Sequence, residues 1–293
     1  MRFARLIIKL HKEQKTEVVY TPESRIRQPL KLLQEMHNDL QASRELAWCL
    51  LVRDIRSQYR RSFLGITWAI LPPALTAAGL TFASNTGVLN IGKTDIPYPA
   101  YVMLGTVLWQ TFIEAFNSPQ VAINTSRPLL AQVKFPHEAI ILTQLGQILF
   151  NLMLKLVFVV LLFVLFRVSV SWTIIFAPLP IITLMLLGTS IGLLLIPLTN
   201  LVQDVSRAME VMIPVWFFLT PVVYPAPSGG ILSFVVKLNP VTPLFVTARE
   251  MITTGVLSQP LGFLLMLVIT LIILMLGWLV YRLAMPFLIE RIS

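Results

Sequence analysis

The residues with the most recognisable chemistry lie between positions 87 and 94. There, two glycines followed by Lys93 and Thr94 reproduce the spacing of a phosphate-binding loop. Such a loop holds nucleotide phosphates with backbone N–H groups and its lysine, and needs a preceding strand and a helix that begins at the lysine. An apolar run precedes this match, and Pro97 and Pro99 oppose a helix starting at Lys93. We therefore expect these residues to bind no nucleotide.

Residue types that ligate metals or act as nucleophiles are few and scattered. The three histidines, His11, His37 and His137, lie far apart in the sequence, and the one cysteine, Cys49, permits no internal disulfide. Neither an HExxH nor a CxxC spacing occurs. The sequence predicts no catalytic residue, no metal site and no cofactor bound by this chain.

The composition is typical of a membrane protein. Of 293 residues, 56% are hydrophobic and only 13% are charged, the mean hydropathy is +0.78, and the apolar runs are long enough to cross a bilayer. The net charge of +9 comes mostly from Lys and Arg before the first span and in the loops. In those places they set orientation and contact anionic lipid, so we do not expect nucleic-acid binding.

We predict an all-α polytopic membrane protein with six transmembrane helices. Residues 1–28 are predicted to be a cytoplasmic tail, 29–61 an amphipathic interfacial segment, 62–285 the transmembrane domain and 286–293 a cytoplasmic C-terminus. A helix that packs on a soluble partner fits the amphipathic pattern equally well, and both can hold at once. Pro72 and Pro73 should kink the first span or free backbone carbonyls, and residues 117–138 are predicted to be a charged loop outside the lipid. The predicted spans are about 63–84, 100–116, 139–166, 172–198, 211–224 and 261–283.

The region 229–256 differs from a span because it holds two short apolar pieces, about 231–236 and 241–254, separated by Lys237-Leu-Asn-Pro240. Neither piece can cross alone, so we predict a re-entrant helical pair before the last span. A seventh span would bury Lys237, Arg249 and Glu250, at about 2.5 to 3.5 kcal/mol for each central charge.

The distribution of basic residues near span ends places both termini in the cytoplasm. Nine on the predicted cytoplasmic side outnumber four on the outer side. The first set is Arg53, Arg56, Arg60, Arg61, Arg127, Lys134, Arg207, Arg282 and Arg291, and the second is Lys93, Arg167, Lys237 and Arg249.

Two kinds of side chain within the spans leave alternatives open. Burying Glu114 and Lys155 is costly, which favours a functional role. Lys155 can also extend toward an interface or toward a subunit contact, so a structural role is equally compatible. Aromatic residues near span ends fit interfacial anchoring or packing. Their flat faces would also stack on sugar rings along a path for glycans.

Several short motifs occur in a characteristic order. They are Leu51-Val-Arg53-Asp54-Ile-Arg56 with Tyr59, Leu64-Gly65, Trp68 through Pro72, Pro97-Tyr98 with Gly105 and Trp109, Lys134-Phe135-Pro136-His137-Glu138, Gln203-Asp204-Val205, Thr220 through Pro225, and Leu238-Asn239-Pro240. With these, residues 45–285 resemble the transmembrane subunit of type-2 ABC exporters of polysaccharides, which move O-antigen, teichoic acid or capsule. The family usually has an Arg-Asp pair where this chain has Gln203-Asp204.

The resemblance implies a homodimer in the bacterial cytoplasmic membrane, with two copies of a separate ATPase subunit that binds ATP and Mg. The complex would export a lipid-linked glycan. It further implies that contact with the ATPase involves Arg53, Asp54, Arg127, Lys134, Phe135, Pro136, His137 and Glu138. Substrate entry near the lipid headgroups is expected at Arg56, Tyr59, Arg60 and Arg61. The translocation path is expected at Trp68, Trp109, Phe112, Phe116, Trp216, Phe217 and Tyr224, and an outer gate at Tyr224, Pro225, Asn239 and Pro240.

Two other functions are kept as alternatives. One is a type-2 exporter of a drug or small lipid. The other is an integral membrane enzyme acting on lipid-linked sugars, which would need clustered acidic residues or a histidine pair at one membrane face.

Overall fold

A computed structural model of the chain describes residues 29–60, 67–88, 91–132, 136–227 and 229–292, and within them it is helical without a β-strand. The predicted tail, residues 1–28, lies outside these ranges. The α-helices are α1 (Pro29–Arg60), α2 (Thr67–Asn85), α3 (Tyr98–Gln132), α4 (Glu138–Leu165), α5 (Pro178–Leu201), α6 (Gln203–Leu219), α7 (Gly230–Leu238), α8 (Val241–Ile252) and α9 (Pro260–Ile292), with a 3-10 helix at Trp172–Phe176 before α5.

The chain divides after Gln41 into two compact units. Within the described residues, the first unit contributes the opening turns of α1, and the second, Ala42–Ser293, holds the rest of α1 and every other helix. All contacts discussed below lie in the second unit.

Within the described ranges, three stretches are long and apolar enough to cross a membrane: Glu138–Leu165, Trp172–Leu201 and Pro260–Phe287. They coincide with three of the six predicted spans. The pair α7 and α8 meets the same test only when taken together, and it is bent by 92°. The full count of six spans, like the location of α1 at the membrane surface, stays a prediction.

Helix α5 is at the centre of the bundle and packs on α3, α6, α8 and α9. Its glycines allow this closeness: a Cβ at Gly188 would lie 2.7 Å from the Phe112 carbonyl oxygen, and one at Gly192 would meet the Phe116 carbonyl oxygen. Small residues four apart are a common means of close approach between membrane helices.

The two ends of the bundle can be distinguished by their contacts. At one end, called the Glu138 end, Ile123 of α3, Ile140 of α4, Ile196 of α5 and Tyr281 of α9 share one apolar cluster. Because α3 and α4 are antiparallel, the start of α3 and the end of α4 lie together at the opposite end, called the Tyr98 end.

Both ends of the bent pair lie at the Tyr98 end. Before the pair, the Tyr98 hydroxyl donates to the Val223 carbonyl at 3.2 Å. After it, the Ser171 N–H donates to the Ile252 carbonyl at 3.2 Å, and Ser171 follows α4. Entry and exit at the same end are expected of a re-entrant pair and not of a seventh span.

The predicted loop at 117–138 is wrong for residues 117–132, which continue α3 as helix. Pro119 has no N–H to donate to the carbonyl four residues earlier. The Ser118 hydroxyl donates to that carbonyl, of Ala115, at 2.8 Å. A neighbouring hydroxyl therefore satisfies the acceptor that the proline leaves open, which is how membrane helices tolerate proline. Helix α2 is likewise continuous through Pro72 and Pro73.

The close approach of α5 to α3 predicts that Gly188→Ala lowers stability. The added methyl would meet the Phe112 carbonyl and the Phe116 N–H group, at 2.7 and 3.0 Å from their heavy atoms, and overpacking of this kind costs about 1 to 3 kcal/mol. The matched control is Gly79→Ala in α2, where no atom lies within 4 Å. We expect a lower thermal midpoint for Gly188→Ala than for Gly79→Ala, measured by heating each protein in detergent and monitoring it by size-exclusion chromatography. Equal midpoints would contradict the close packing.

Candidate functional site

Those residues predicted to contact an ATPase that the structure describes lie at or near the Glu138 end. The Arg53 Nε donates to the Asp54 carboxylate at 2.8 Å on α1, and the Arg53 side chain is exposed. Arg56 is also exposed. For Tyr59 and Arg60 only the helical backbone is described, as for Arg127 on α3. Arg61, Lys134 and Phe135 lie outside the described residues.

The second half of α1 is attached to α4. The Gln147 side-chain amide donates to the Gln58 Oε1 at 2.6 Å, and the Thr143 hydroxyl approaches the Ala47 carbonyl at 3.3 Å. At Gly146 an added Cβ would lie 2.7 Å from a methyl group of Leu51. Positions 143, 146 and 147 form one face of α4, so α1 lies along that face.

The start of α4 is attached to α9. His137 precedes the helix and half-buried Pro136 precedes His137. The Glu138 side chain is only 8% exposed and accepts from the Arg282 guanidinium at 3.2 Å, while the Tyr281 hydroxyl donates to the His137 carbonyl at 3.1 Å. Glu138 therefore pairs within the chain and offers little surface to a partner.

Five of the predicted path residues pack together. Trp109, Phe112 and Phe116 are buried on α3, and Trp216 of α6 contacts all three with ring centroids 5.2 to 6.4 Å apart. Phe217 lies 5.6 Å from Trp109. Trp68 is exposed on α2, and Tyr224 lies beyond the end of α6. In this chain the rings fill the space between α3 and α6, and their role in a path stays a prediction.

Asn239 organises the bend between α7 and α8. It is buried, its Oδ1 accepts from the Trp216 indole N–H and from the Val241 N–H, both at 3.1 Å, and its Nδ2 donates to the Thr220 hydroxyl at 2.8 Å and to the Leu219 carbonyl at 3.3 Å. One side chain thus joins the end of α6 to the start of α8. Pro240 follows it as the residue before α8.

Arg249 of α8 is the most unusual side chain of the region. It is buried, its guanidinium donates to the Pro221 carbonyl at 3.1 Å and to the Val222 carbonyl at 2.7 Å, and it bonds to the Tyr101 hydroxyl. Its Cζ lies 3.8 Å from the centroid of the Tyr101 ring, a cation–π geometry. We call Arg249, Tyr98 and Tyr101 with residues 220–224 the carbonyl clamp.

The clamp includes a segment without regular secondary structure. After α6 ends at Leu219, residues 220–224 continue to the Tyr98 end outside any helix, with Thr220 to Val223 buried. The carbonyls of Pro221 and Val222 accept from Arg249, that of Val223 from Tyr98, and that of Tyr224 from the Tyr101 hydroxyl at 3.0 Å. The predicted span at 211–224 is therefore helical only to Leu219.

The chain also satisfies the carbonyls of Phe218 and Thr220. The Tyr224 hydroxyl donates to the Phe218 carbonyl at 2.8 Å, and the Val222 N–H donates to the Thr220 carbonyl at 2.7 Å. Gly105 of α3 faces the same segment: a Cβ there would lie 2.7 Å from the Arg249 Nη2 and would meet the Val222 carbonyl oxygen. A side chain at position 105 would displace the guanidinium or the segment that it holds.

The two intramembrane charges noted in the sequence form a pair. The Lys155 ammonium of α4 bonds to the Glu114 carboxylate of α3, and the lysine side chain is only 2% exposed. The pair joins neighbouring helices in the middle of the bundle, so snorkelling of Lys155 to an interface is wrong. By joining α3 to α4, Glu114 and Lys155 have a structural role. A functional role stays open.

The phosphate-loop match lacks the elements that nucleotide binding needs. Helix α2 precedes it, residues 91–97 are not helical, and α3 begins only at Tyr98. The Thr94 hydroxyl donates to the Ile96 carbonyl at 2.8 Å. Residues 89 and 90 lie outside the described ranges. The described residues also contain no cluster of His, Cys, Asp or Glu that could hold a metal ion.

Sequence reasoning missed Arg249, Tyr101 and Arg282 as site residues. Counting Arg249 among the outer interfacial charges was wrong, because the structure buries it inside the protein. A cation within the apolar stretch 241–254 was a signal, since intramembrane charges need partners. Tyr101 and Arg282 carried no comparable signal, because their partners lie 123 to 148 residues away in the sequence.

The fold and its buried polar groups define an all-helical, multi-pass membrane protein with a broken helical pair before its last span. Residues 45–253 match the family described as ABC-2 type transporter, and the chain belongs to that family. The resemblance stated from the sequence motifs is thereby confirmed.

Individual relatives are more distant. The chain is 24% identical over 219 residues to the O-antigen export system permease protein RfbA of Myxococcus xanthus, which covers 73% of this chain and 81% of the relative. Two proteins of the same name from Klebsiella pneumoniae are 23% identical over 212 and 210 residues, covering 70% of this chain and 79% of each relative.

The carbonyl clamp predicts that Arg249→Met destabilises the protein strongly. The variant leaves the Pro221 and Val222 carbonyls without their donors, and a buried unsatisfied acceptor costs about 1 to 3 kcal/mol. Lys237→Met is the control, because Lys237 is exposed at the end of α7. We expect a lower thermal midpoint and faster proteolysis near residue 225 for Arg249→Met alone; if both variants match the parent protein, the clamp does not hold the segment.

Proposed function

We propose that this chain is the membrane-spanning permease subunit of an ATP-driven exporter of a lipid-linked polysaccharide. The observation that carries the proposal is the family match over residues 45–253, which includes the second half of α1, the aromatic cluster and the re-entrant pair. The relatives named as O-antigen export permeases support a cell-surface glycan as the substrate. The permease would act as a homodimer with two copies of a separate ATPase subunit.

In this proposal the Glu138 end faces the cytoplasm of a bacterium and the Tyr98 end faces outward. Both termini would be cytoplasmic, in agreement with the distribution of Lys and Arg. The exposed Arg53 and Arg56 on α1 are available to the ATPase or to lipid headgroups.

The contacts suggest how a movement at the ATPase reaches the bundle. A displacement of α1 would act on α4 through Gln58 and Gln147, which are hydrogen-bonded at 2.6 Å. Helix α4 in turn is joined to α9 by Glu138 and Arg282, and to α3 by Lys155 and Glu114. The aromatic side chains at the seam of α3 and α6 would become the sugar-stacking path when the helices separate.

The function is tested by purifying the tagged chain together with the ATPase encoded beside it. We expect the two to co-purify with ATPase activity, and deletion of the gene to remove surface polysaccharide while drug tolerance is unchanged. A chain that recovers no ATPase and restores no polysaccharide would refute the proposal. Loss of drug tolerance with intact polysaccharide would favour the exporter of a drug or small lipid, and turnover of a lipid-linked sugar without ATP would favour an enzyme.

The coupling role of α1 predicts that Arg53→Glu with Arg56→Glu weakens ATPase association. Both side chains are exposed, so the fold should tolerate the change while an acidic partner surface would be repelled. We expect about tenfold weaker association, equivalent to about 1.4 kcal/mol, measured by titrating the ATPase onto the purified permease. Lys93→Glu is the control, because Lys93 is exposed and lies shortly before Tyr98 at the opposite end. Equal affinity for the double variant and the parent protein would exclude these arginines from the contact.

A further inference from the structure

Helix α4 ends with a residue in an unfavourable backbone conformation. Arg167 has φ of 51°, and among the described residues it is the one non-glycine residue with positive φ. The turn around it closes the helix, since the Phe166 N–H donates to the Leu162 carbonyl and the Val168 N–H to the Phe163 carbonyl, both at 2.9 Å. Glycine is the usual residue at such a cap because it has no Cβ to clash. An arginine here therefore carries a backbone cost that glycine would avoid.

The described part of the chain supplies no specific partner for this arginine. The Arg167 side chain is exposed, and it forms no ion pair or hydrogen bond with any described residue. A cation at the C-terminus of a helix gains some energy from the helix dipole, but that gain is small at an exposed site. Among the described residues, the Arg167 guanidinium is therefore left accessible to a ligand.

A firmly held apolar surface lies next to Arg167. In the 3-10 helix, Trp172 is 74% and Ile175 75% exposed, and the Trp172 and Phe176 rings meet edge to face at 6.1 Å. The polar groups of the same turn face inward: the Thr173 hydroxyl donates to the Met251 carbonyl at 2.7 Å. The exposed rings are thus held by hydrogen bonds to α8 and are not on a free loop.

We propose that Arg167 and the turn Trp172–Phe176 bind an anionic phospholipid at the membrane interface of the Tyr98 end. The exposed apolar residues continue onto Leu165 of α4 and Leu179 of α5, which belong to helices long enough to cross the membrane. Acyl chains would lie along this surface and the indole at the headgroup level. The guanidinium would take the lipid phosphate by paired hydrogen bonds.

The proposal is tested with the full chain in nanodiscs of phosphatidylcholine, with and without phosphatidylglycerol. We expect phosphatidylglycerol to raise the thermal midpoint of the parent protein by about 2 to 4 °C and to have no such effect on Arg167→Gln. Arg167→Gly should unfold at a higher temperature than Arg167→Gln in phosphatidylcholine, because glycine accepts the positive φ, and should still not respond to phosphatidylglycerol. Lys93→Gln, which removes another exposed cation at the Tyr98 end, should respond like the parent protein.

Each variant is compared with itself in two bilayers, so a change in intrinsic stability cancels. If Arg167→Gln responds to phosphatidylglycerol like the parent protein, the site does not exist. Equal loss of response in Lys93→Gln would mean a diffuse attraction to the charged surface. A midpoint that Arg167→Gln lowers equally in both bilayers would mean that Arg167 only caps the helix. Inorganic phosphate added to phosphatidylcholine discs should not reproduce the shift; if it does, the ligand is a free anion.

Discussion

The structure depends on supplying hydrogen-bond donors to a non-helical segment in the apolar interior. An unpaired carbonyl in hydrocarbon costs several kcal/mol, and residues 220–224 leave the helix before the bundle ends. The carbonyls of residues 221–224 are satisfied by side chains from α3 and α8, with Arg249 serving two of them. The cation is in turn stabilised by the carbonyl dipoles and by the face of Tyr101, 3.8 Å from its Cζ. Helices α3 and α8 and the segment between α6 and α7 thereby form one unit.

Two further buried contacts act in a similar way elsewhere in the bundle. Glu114 with Lys155 joins α3 to α4, and Glu138 with Arg282 joins α4 to α9. Buried ion pairs are weak evidence for net stability, because desolvation offsets their attraction. The pairs act on geometry. An unpaired charge inside the membrane is costly, so each pair fixes the register of the two helices that it joins. The central helix α5, in contrast, is positioned by backbone approach at glycines.

How much of this could be predicted from the sequence depended on whether the signal was local. The long apolar helices, the break at 239–240 and the family resemblance follow from apolar runs and motifs that are visible within short windows of the sequence. The continuation of α3 past Asn117 did not, because Pro119 reads as a helix end unless Ser118 is known to donate to the Ala115 carbonyl. Charge counts near span ends placed Arg249 outside, since its partners are backbone carbonyls, which no sequence pattern marks. Glu114 and Lys155 were both noticed, but their pairing across 41 positions was not.

The region of the predicted outer gate, residues Tyr224, Pro225, Asn239 and Pro240, contains parts that are held firmly and parts that are more exposed. Tyr224 belongs to the carbonyl clamp, and Asn239 is hydrogen-bonded to the end of α6 and the start of α8. Helix α8 is almost wholly buried, whereas α7 has nine residues and exposes Ile231, Phe234 and Leu238. Helix α7 begins at Gly230, which has φ of 81° and follows Gly229. Any displacement within this region that preserves the clamp has to move α7 against a fixed α8. The backbone rotations for it must then occur near the two glycines and after Asn239, where the pair is already bent by 92°.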